Sequence, residues 1–163
     1  SHARRARADL EDPEASDALP LVDEHAVTVA ADPDRAWAAL LDAVTAAFDG
    51  RAPACYAAVV GCVPAAASGP RPLATGATVP GFRVVAAERR RLLRLVGEHR
   101  FSRYALTFRV ERLGDGRTRL RAETRAAFPG ALGAVYRRLV VGSGAHVALT
   151  RRLLRSARRR AEA

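Results

Sequence analysis

Two cysteines, Cys55 and Cys62, are all that 163 residues contain. No histidine lies near either at a zinc-ligand spacing, so neither a disulfide framework nor a structural metal site is implied. Of the four histidines, the scattered His25, His99 and His146 form no ligand spacing with them, and no cofactor of any kind is expected. A reduced, cytoplasmic setting fits this cysteine usage. No apolar run approaches the roughly 18 residues of a membrane-spanning helix. The N-terminus lacks the apolar core of a signal peptide, because Arg4, Arg5 and Arg7 are followed by Asp9, Glu11, Asp12, Glu14 and Asp17. Residues 1–20 therefore read as a mobile polar tail, and residues 21–162 as one domain large enough to bury a core without staples.

Lysine is absent altogether. All 27 basic residues are arginine, in an alanine-rich chain of net charge +10, a pattern that a GC-rich genome produces without any selection for binding. Residues 131–163 alone carry +7. A basic surface attracts phosphate and releases counterions, but single-strand binding also needs aromatic side chains between the charges. None lies within the ladder Arg117, Arg119, Arg121 and Arg125. A solvated surface is the expected role of these arginines, so neither nucleic acid nor an anionic membrane surface is an expected partner.

Residues 22–30 alternate as a half-buried strand, with His25, Val27 and Val29 on one face. Asp32 then stands as an N-cap before Pro33, and Ala36, Trp37, Leu40, Leu41, Val44 and Phe48 recur at helical spacing until Asp49-Gly50. Residues 51–80 are less regular. They suggest a second short helix over 53–61, a proline-rich and glycine-rich stretch over 64–72, and an edge strand over 73–79. Four antiparallel strands follow, over about 82–88, 92–97, 101–113 and 117–128, the last two joined by Gly114-Asp115-Gly116. Tyr104, Leu106, Phe108 and Val110 share one face with Leu120, Ala122, Thr124, Ala126 and Phe128 of the partner strand, while Arg103, Thr107, Arg109 and the arginine ladder fill the other. One face of the sheet is thus expected to be covered and one wet.

The cover is a helix over 131–161. Its inward stripe, counted from Leu132, runs through Tyr136, Leu139, Ser143, His146, Thr150, Leu153 and Ala157. The centre of that stripe is polar, and buried polar atoms are costly without partners; a cavity beneath the helix is one explanation. The other is that Tyr136 and His146 bond backbone or water, and Ser143 and Thr150 the preceding turn of their own helix. Gly142 and Gly144 each cost the helix roughly 1 kcal/mol relative to alanine, which a kink or a close approach would offset.

The segments EHAVTVAADPDRAWAALLDA, GFRVV, HRFSRYALTFRVERLGDGRTRLRAETRAAFPG and YRRLVVGSGAH, in this order of elements, resemble the START-like (SRPBCC) superfamily, and within it an actinobacterial branch. The superfamily includes lipid-transfer domains, the birch-pollen allergen and aromatic polyketide cyclases. The resemblance implies an α+β helix-grip fold: a curved antiparallel sheet wrapped around a long C-terminal helix, with one or two short helices after the first strand. It also implies a hydrophobic cavity between sheet and helix that holds a small apolar or amphipathic ligand.

The expected ligand-contacting residues are Tyr104, Phe108, Leu120 and Thr124 on the strands, with His99 at their edge, and Tyr136, Leu139, Ser143, His146 and Thr150 on the helix. Tyr136 and His146 are expected to look toward Tyr104. No catalytic residue is assigned: Gly-Ser-Gly around Ser143 lacks the spacing and the strand-to-helix turn of a nucleophile elbow. The chain therefore reads as a binding protein for a small hydrophobic or aromatic molecule, with a homodimer left open. The alternatives are a polyketide cyclase or hydratase in which His146 or Tyr136 moves protons, and a basic surface for nucleic acid or membrane.

Overall fold

The computed structural model describes residues 11–48, 61–62, 64–142 and 144–163. In chain order they form α1 (Pro13–Asp17), β1 (Leu21–Val29), α2 (Pro33–Phe48), β2 (Thr78–Val79), β3 (Phe82–Glu88), β4 (Leu92–His99), β5 (Ser102–Gly114), β6 (Arg117–Ala127), α3 (Gly130–Val140) and α4 (Ala145–Glu162). The six strands make one sheet in the order β1-β6-β5-β4-β3-β2, every neighbouring pair antiparallel. This is the expected α+β arrangement. The second short helix expected over 53–61 and Cys55 lie outside the described residues.

Strand parity builds the core. Val29, Leu120, Val110, Phe108, Leu95, Leu93 and Val84 point to the inner face and are buried there, against Trp37, Leu40 and Val44 of α2 and Leu153, Leu154 and Ala157 of α4. α2 starts as its sequence requires: the Asp32 carboxylate accepts the Arg35 N–H at 2.9 Å, which satisfies one of the unpaired first-turn donors. The far end of α4 is tied to the β1–α2 connection. There Glu162 accepts the Ala30 N–H at 2.8 Å, and the Arg35 guanidinium donates to the Ala163 carbonyl.

Three expectations are corrected. The closing helix is two helices, α3 and α4, because Gly144 adopts φ +77°, a left-handed conformation that cannot continue a right-handed helix. The stripe therefore loses its register across the break, and Leu132 and Leu139 are exposed. The edge strand shrinks to Thr78–Val79, since a turn closed by Ala77 N–H on the Ala74 carbonyl occupies the residues before it.

The third correction concerns residues 11–20, which are seated on the outer face of the sheet and not loose beside it. Asp12 caps α1 through the Glu14 N–H, Ser16 is buried, and Leu19 packs on the cluster of Val96 and Ala105. The same segment pairs Glu11 with Arg83 at 2.9 Å and Asp17 with Arg94 at 3.1 Å. Its Pro20 carbonyl accepts the Ala126 N–H. The outer face is thus partly dry: Arg94 and Thr107 are buried there and bonded to each other. Beyond that cover, carboxylates engage the arginine ladder, with Glu24 and Glu111 on Arg121 and Glu123 on Arg125.

Candidate functional site

At the end of the inner face remote from the β5–β6 turn, the apolar pattern gives way to two neighbouring groups. The first is polar. Along β1 Asp23 stands opposite Thr124, His25 opposite Ala122 and Val27 opposite Leu120, so the two-residue alternation aims Asp23 and His25 inward beside Val27, and the bulge between Leu21 and Asp23 ends that alternation by setting Leu21 opposite Arg125. From the opposite side, the first turn of α4 brings in His146. Its Nε2 lies 3.2 Å from Asp23 Oδ1 and 3.1 Å from Thr124 Oγ1, and 3.2 Å from Asp23 Oδ2. His25 Nε2 lies 3.5 Å from that same Oδ2. Asp23 Oδ2 and His25 Nε2 are buried atoms, yet neither has a hydrogen-bond partner among the described residues. A carboxylate that orients an imidazole is an arrangement able to anchor a hydroxyl or to pass a proton.

The second group is an aromatic row that crosses the sheet. Phe48 at the end of α2 meets Phe82 (ring centroids 4.9 Å apart), Phe82 meets Tyr104 (5.1 Å), and Tyr104 meets His99 (5.6 Å). His99 in turn meets Tyr136 of α3 edge-on (4.6 Å), and Tyr136 stacks on Phe101 (5.3 Å) and approaches Phe128 (6.4 Å). The Tyr104 hydroxyl donates to the Gly81 carbonyl at 2.6 Å and lies 3.7 Å from Cys62 Sγ. Burial pushes the Cys62 thiol pKa up, against a smaller opposing effect of the Tyr104 hydroxyl. His99 Nδ1 accepts the Phe101 N–H at 3.0 Å, and its Nε2 lies 3.0 Å from Ser102 Oγ. Burial lowers the His99 pKa, which favours the neutral ring.

The two groups occupy adjacent rows of the sheet, since Tyr104 stands opposite Ala126 and Leu106 opposite Thr124. Of the expected site residues, Tyr104 and Tyr136 are brought together through His99. His146 and Thr124 are brought together with Asp23. His146 therefore faces β1 and β6, where Tyr104 had been expected. Phe108 and Leu120 are fully buried in the main core, Leu139 is exposed, and Thr150 donates to the His146 carbonyl of its own helix. Ser143 lies outside the described residues. Asp23, His25 and Phe101 are not among the expected contacts, and Phe128 is expected only on the covered face of its strand. Asp23 and His25 sit two apart on one strand face, a signal present in the sequence.

Among the described residues, no group of three or more His, Cys, Asp or Glu side chains is placed to hold a metal ion, and no helix is long and apolar enough to cross a membrane. A recess of about 200 Å³ lies elsewhere, lined by Glu88, Arg91, Leu92, Arg109, Val110 and Glu111. None of the expected site residues lines it.

The sequence matches, over residues 23–162, the family described as "Polyketide cyclase / dehydrase and lipid transport". No curated protein matches it. Among solved structures, the fold is similar to that of the Zhui aromatase/cyclase from Streptomyces sp. R1128, at 18% identity and a TM-score of 0.54 over 86% of this chain and 92% of the other. It is also similar to a conserved protein from Geobacillus kaustophilus, at 14% identity and a TM-score of 0.51 over 85% and 93% of the two chains. At such identities the likeness is one of fold, and the fold is the helix grip.

Proposed function

The chain belongs to the polyketide cyclase / dehydrase and lipid transport family, and on that premise we propose that it binds a small hydroxylated aromatic molecule at the inner face of its sheet. The observation that carries this reading is the adjacency of the aromatic row to the Asp23–His146 pair on an otherwise apolar face. Rings of a ligand stack on rings of the protein at centroid separations of 4.5–7 Å, the spacing already present along the row. A ligand hydroxyl beside Asp23 would supply the partner that Asp23 Oδ2 and His25 Nε2 lack, which buried polar atoms otherwise pay for. Tyr104, Tyr136, His99 and Phe101 would then hold the apolar body of the ligand, and Asp23, His25, Thr124 and His146 would orient its polar end. Entry lies under α3, whose Leu132, Val135 and Leu139 are exposed instead of packed.

Calorimetric titration with 1-naphthol and with naphthalene tests this. The hydroxylated probe is expected to bind about tenfold more tightly, the worth of one hydrogen bond to a charged group at about 1.5 kcal/mol. Asp23→Asn should erase that preference, while Tyr136→Ala weakens both probes. Equal affinity of the wild type for the two probes, or binding of neither, would refute the reading.

A further inference from the structure

Six large apolar side chains are exposed among the described residues, and four of them fall between positions 132 and 149: Leu132 (71%), Val135 (56%), Leu139 (67%) and Leu149 (65%). Soluble surfaces carry single exposed leucines without consequence, but clustered ones mark an interaction site. Leu132, Val135 and Leu139, three and then four residues apart, form one stripe along α3. Tyr136, at the edge of that stripe, turns under the helix to the aromatic row, and the rest of the stripe meets solvent.

The charges along this stretch of chain are of one sign. From residue 126 to residue 161 the chain has eight arginines and no acidic residue. Arg137 and Arg138 on α3 and Arg151 and Arg152 on α4 are exposed, and none of the four forms a salt bridge among the described residues, whereas carboxylates engage Arg83, Arg94, Arg121 and Arg125 on the sheet. Helical apolar residues flanked by unpaired arginines have the composition that lies in the plane of an anionic bilayer, apolar side chains in the acyl boundary and cations among the headgroups. A nucleic acid would use the arginines and leave the leucines in water. A membrane uses both.

We propose that α3 and the first two turns of α4 dock on an anionic lipid bilayer, with Leu132, Val135, Leu139 and Leu149 entering the interface and Arg137, Arg138, Arg151 and Arg152 meeting the headgroups. The sequence alone favours a solvated basic face, with a membrane surface as an alternative; the exposed leucines are what favour the membrane here. Docking in this pose sets α3, whose Tyr136 covers the aromatic row, against a reservoir of apolar molecules. The proposal stands independently of the ligand reading, since it needs no ligand to be bound.

The test is vesicle co-sedimentation of the whole chain, with vesicles of phosphatidylcholine alone and of phosphatidylcholine mixed with phosphatidylglycerol. Binding is expected to the mixed vesicles only and to weaken as salt is raised. Arg137→Gln with Arg138→Gln should weaken it roughly 25-fold, about fivefold per arginine. Leu132→Ser, Val135→Ser and Leu139→Ser together should abolish it while leaving the thermal unfolding midpoint unchanged, since these side chains are already solvated. No binding to either vesicle, or equal binding by the triple serine variant, would overturn the proposal. So would a stripe-dependent dimer, seen by light scattering, that binds no vesicles, because the stripe would then belong to a second copy of the chain.

Discussion

Gly97 shows how closely the aromatic row is fitted to the sheet. A Cβ at this position would lie 2.6 Å from the Tyr104 ring and well inside van der Waals contact with the Gly81 carbonyl oxygen, to which the Tyr104 hydroxyl is bonded. Gly97→Ala must therefore push Tyr104 off its place or part β3 from β4, an overpacking that costs about 1–3 kcal/mol. Chemical denaturation should register that loss, and the near-ultraviolet circular dichroism of the tyrosines should change with it. At this scale the sequence was partly legible. Tyr104, Thr124, Tyr136 and His146 were identified from alternation and helical spacing, and each takes part in one of the two polar or aromatic groups. Asp23 was not, although its parity with His25, Val27 and Val29 places it on the inner face, because an acidic residue near the start of a strand reads as solvated. Phe108 and Leu120 were assigned to the ligand because parity fixes the face of a strand residue but not its position along the sheet. Both sit deep in the core, a few rows from the polar and aromatic groups.

Among the elements, α2 and the four central strands followed directly from Asp32-Pro33, from the two-residue alternation and from the Gly114-Asp115-Gly116 turn. The closing helix did not. Its stripe could be counted through Gly142 and Gly144 without interruption, and only the backbone conformation of Gly144 shows that two helices with separate registers lie there. The far end of α4 is held by a carboxylate whose behaviour can be tested. The Ala30 N–H, and secondarily Arg158, hold the Glu162 carboxyl below its ordinary pKa of 4.5. The unfolded chain therefore takes up a proton at a pH where folded Glu162 stays charged. The stability it contributes is present above about 4.5 and is lost as pH falls through the lowered value. Thermal melts across this range should show the wild type losing part of its advantage over Glu162→Ala as the pH drops, while at neutral pH the variant melts lower. Identical melting at both ends of the range would mean that the contact with Ala30 contributes nothing in solution.

Taken as a whole, the molecule divides its inner face into a dry half and a half of rings and polar groups. Val29, Leu40, Phe108, Leu120 and Leu154 close the first. The second carries rings, three histidines and a carboxylate beneath α3, whose own leucines are exposed, and the first turn of α4. The outer face is governed by arginine, paired there with carboxylates and in part covered by residues 11–20, a role that neither composition nor net charge could distinguish from a binding surface. Fold and family were legible from the order of elements because that order dictates which faces must be buried. The position of the polar and aromatic groups along the sheet was not, since it rests on strand register and on one helix break.

The most direct measurement is a two-dimensional amide NMR titration of the ¹⁵N-labelled chain with 1-naphthol. Saturable shifts are expected at Gly97, Tyr104, Thr124, Tyr136 and His146, the positions that bring the aromatic row and the Asp23–His146 pair onto one bound molecule. The absence of saturable shifts, or shifts confined to the recess of Glu88, Arg91, Leu92 and Arg109, would contradict the assignment of this face as the ligand site.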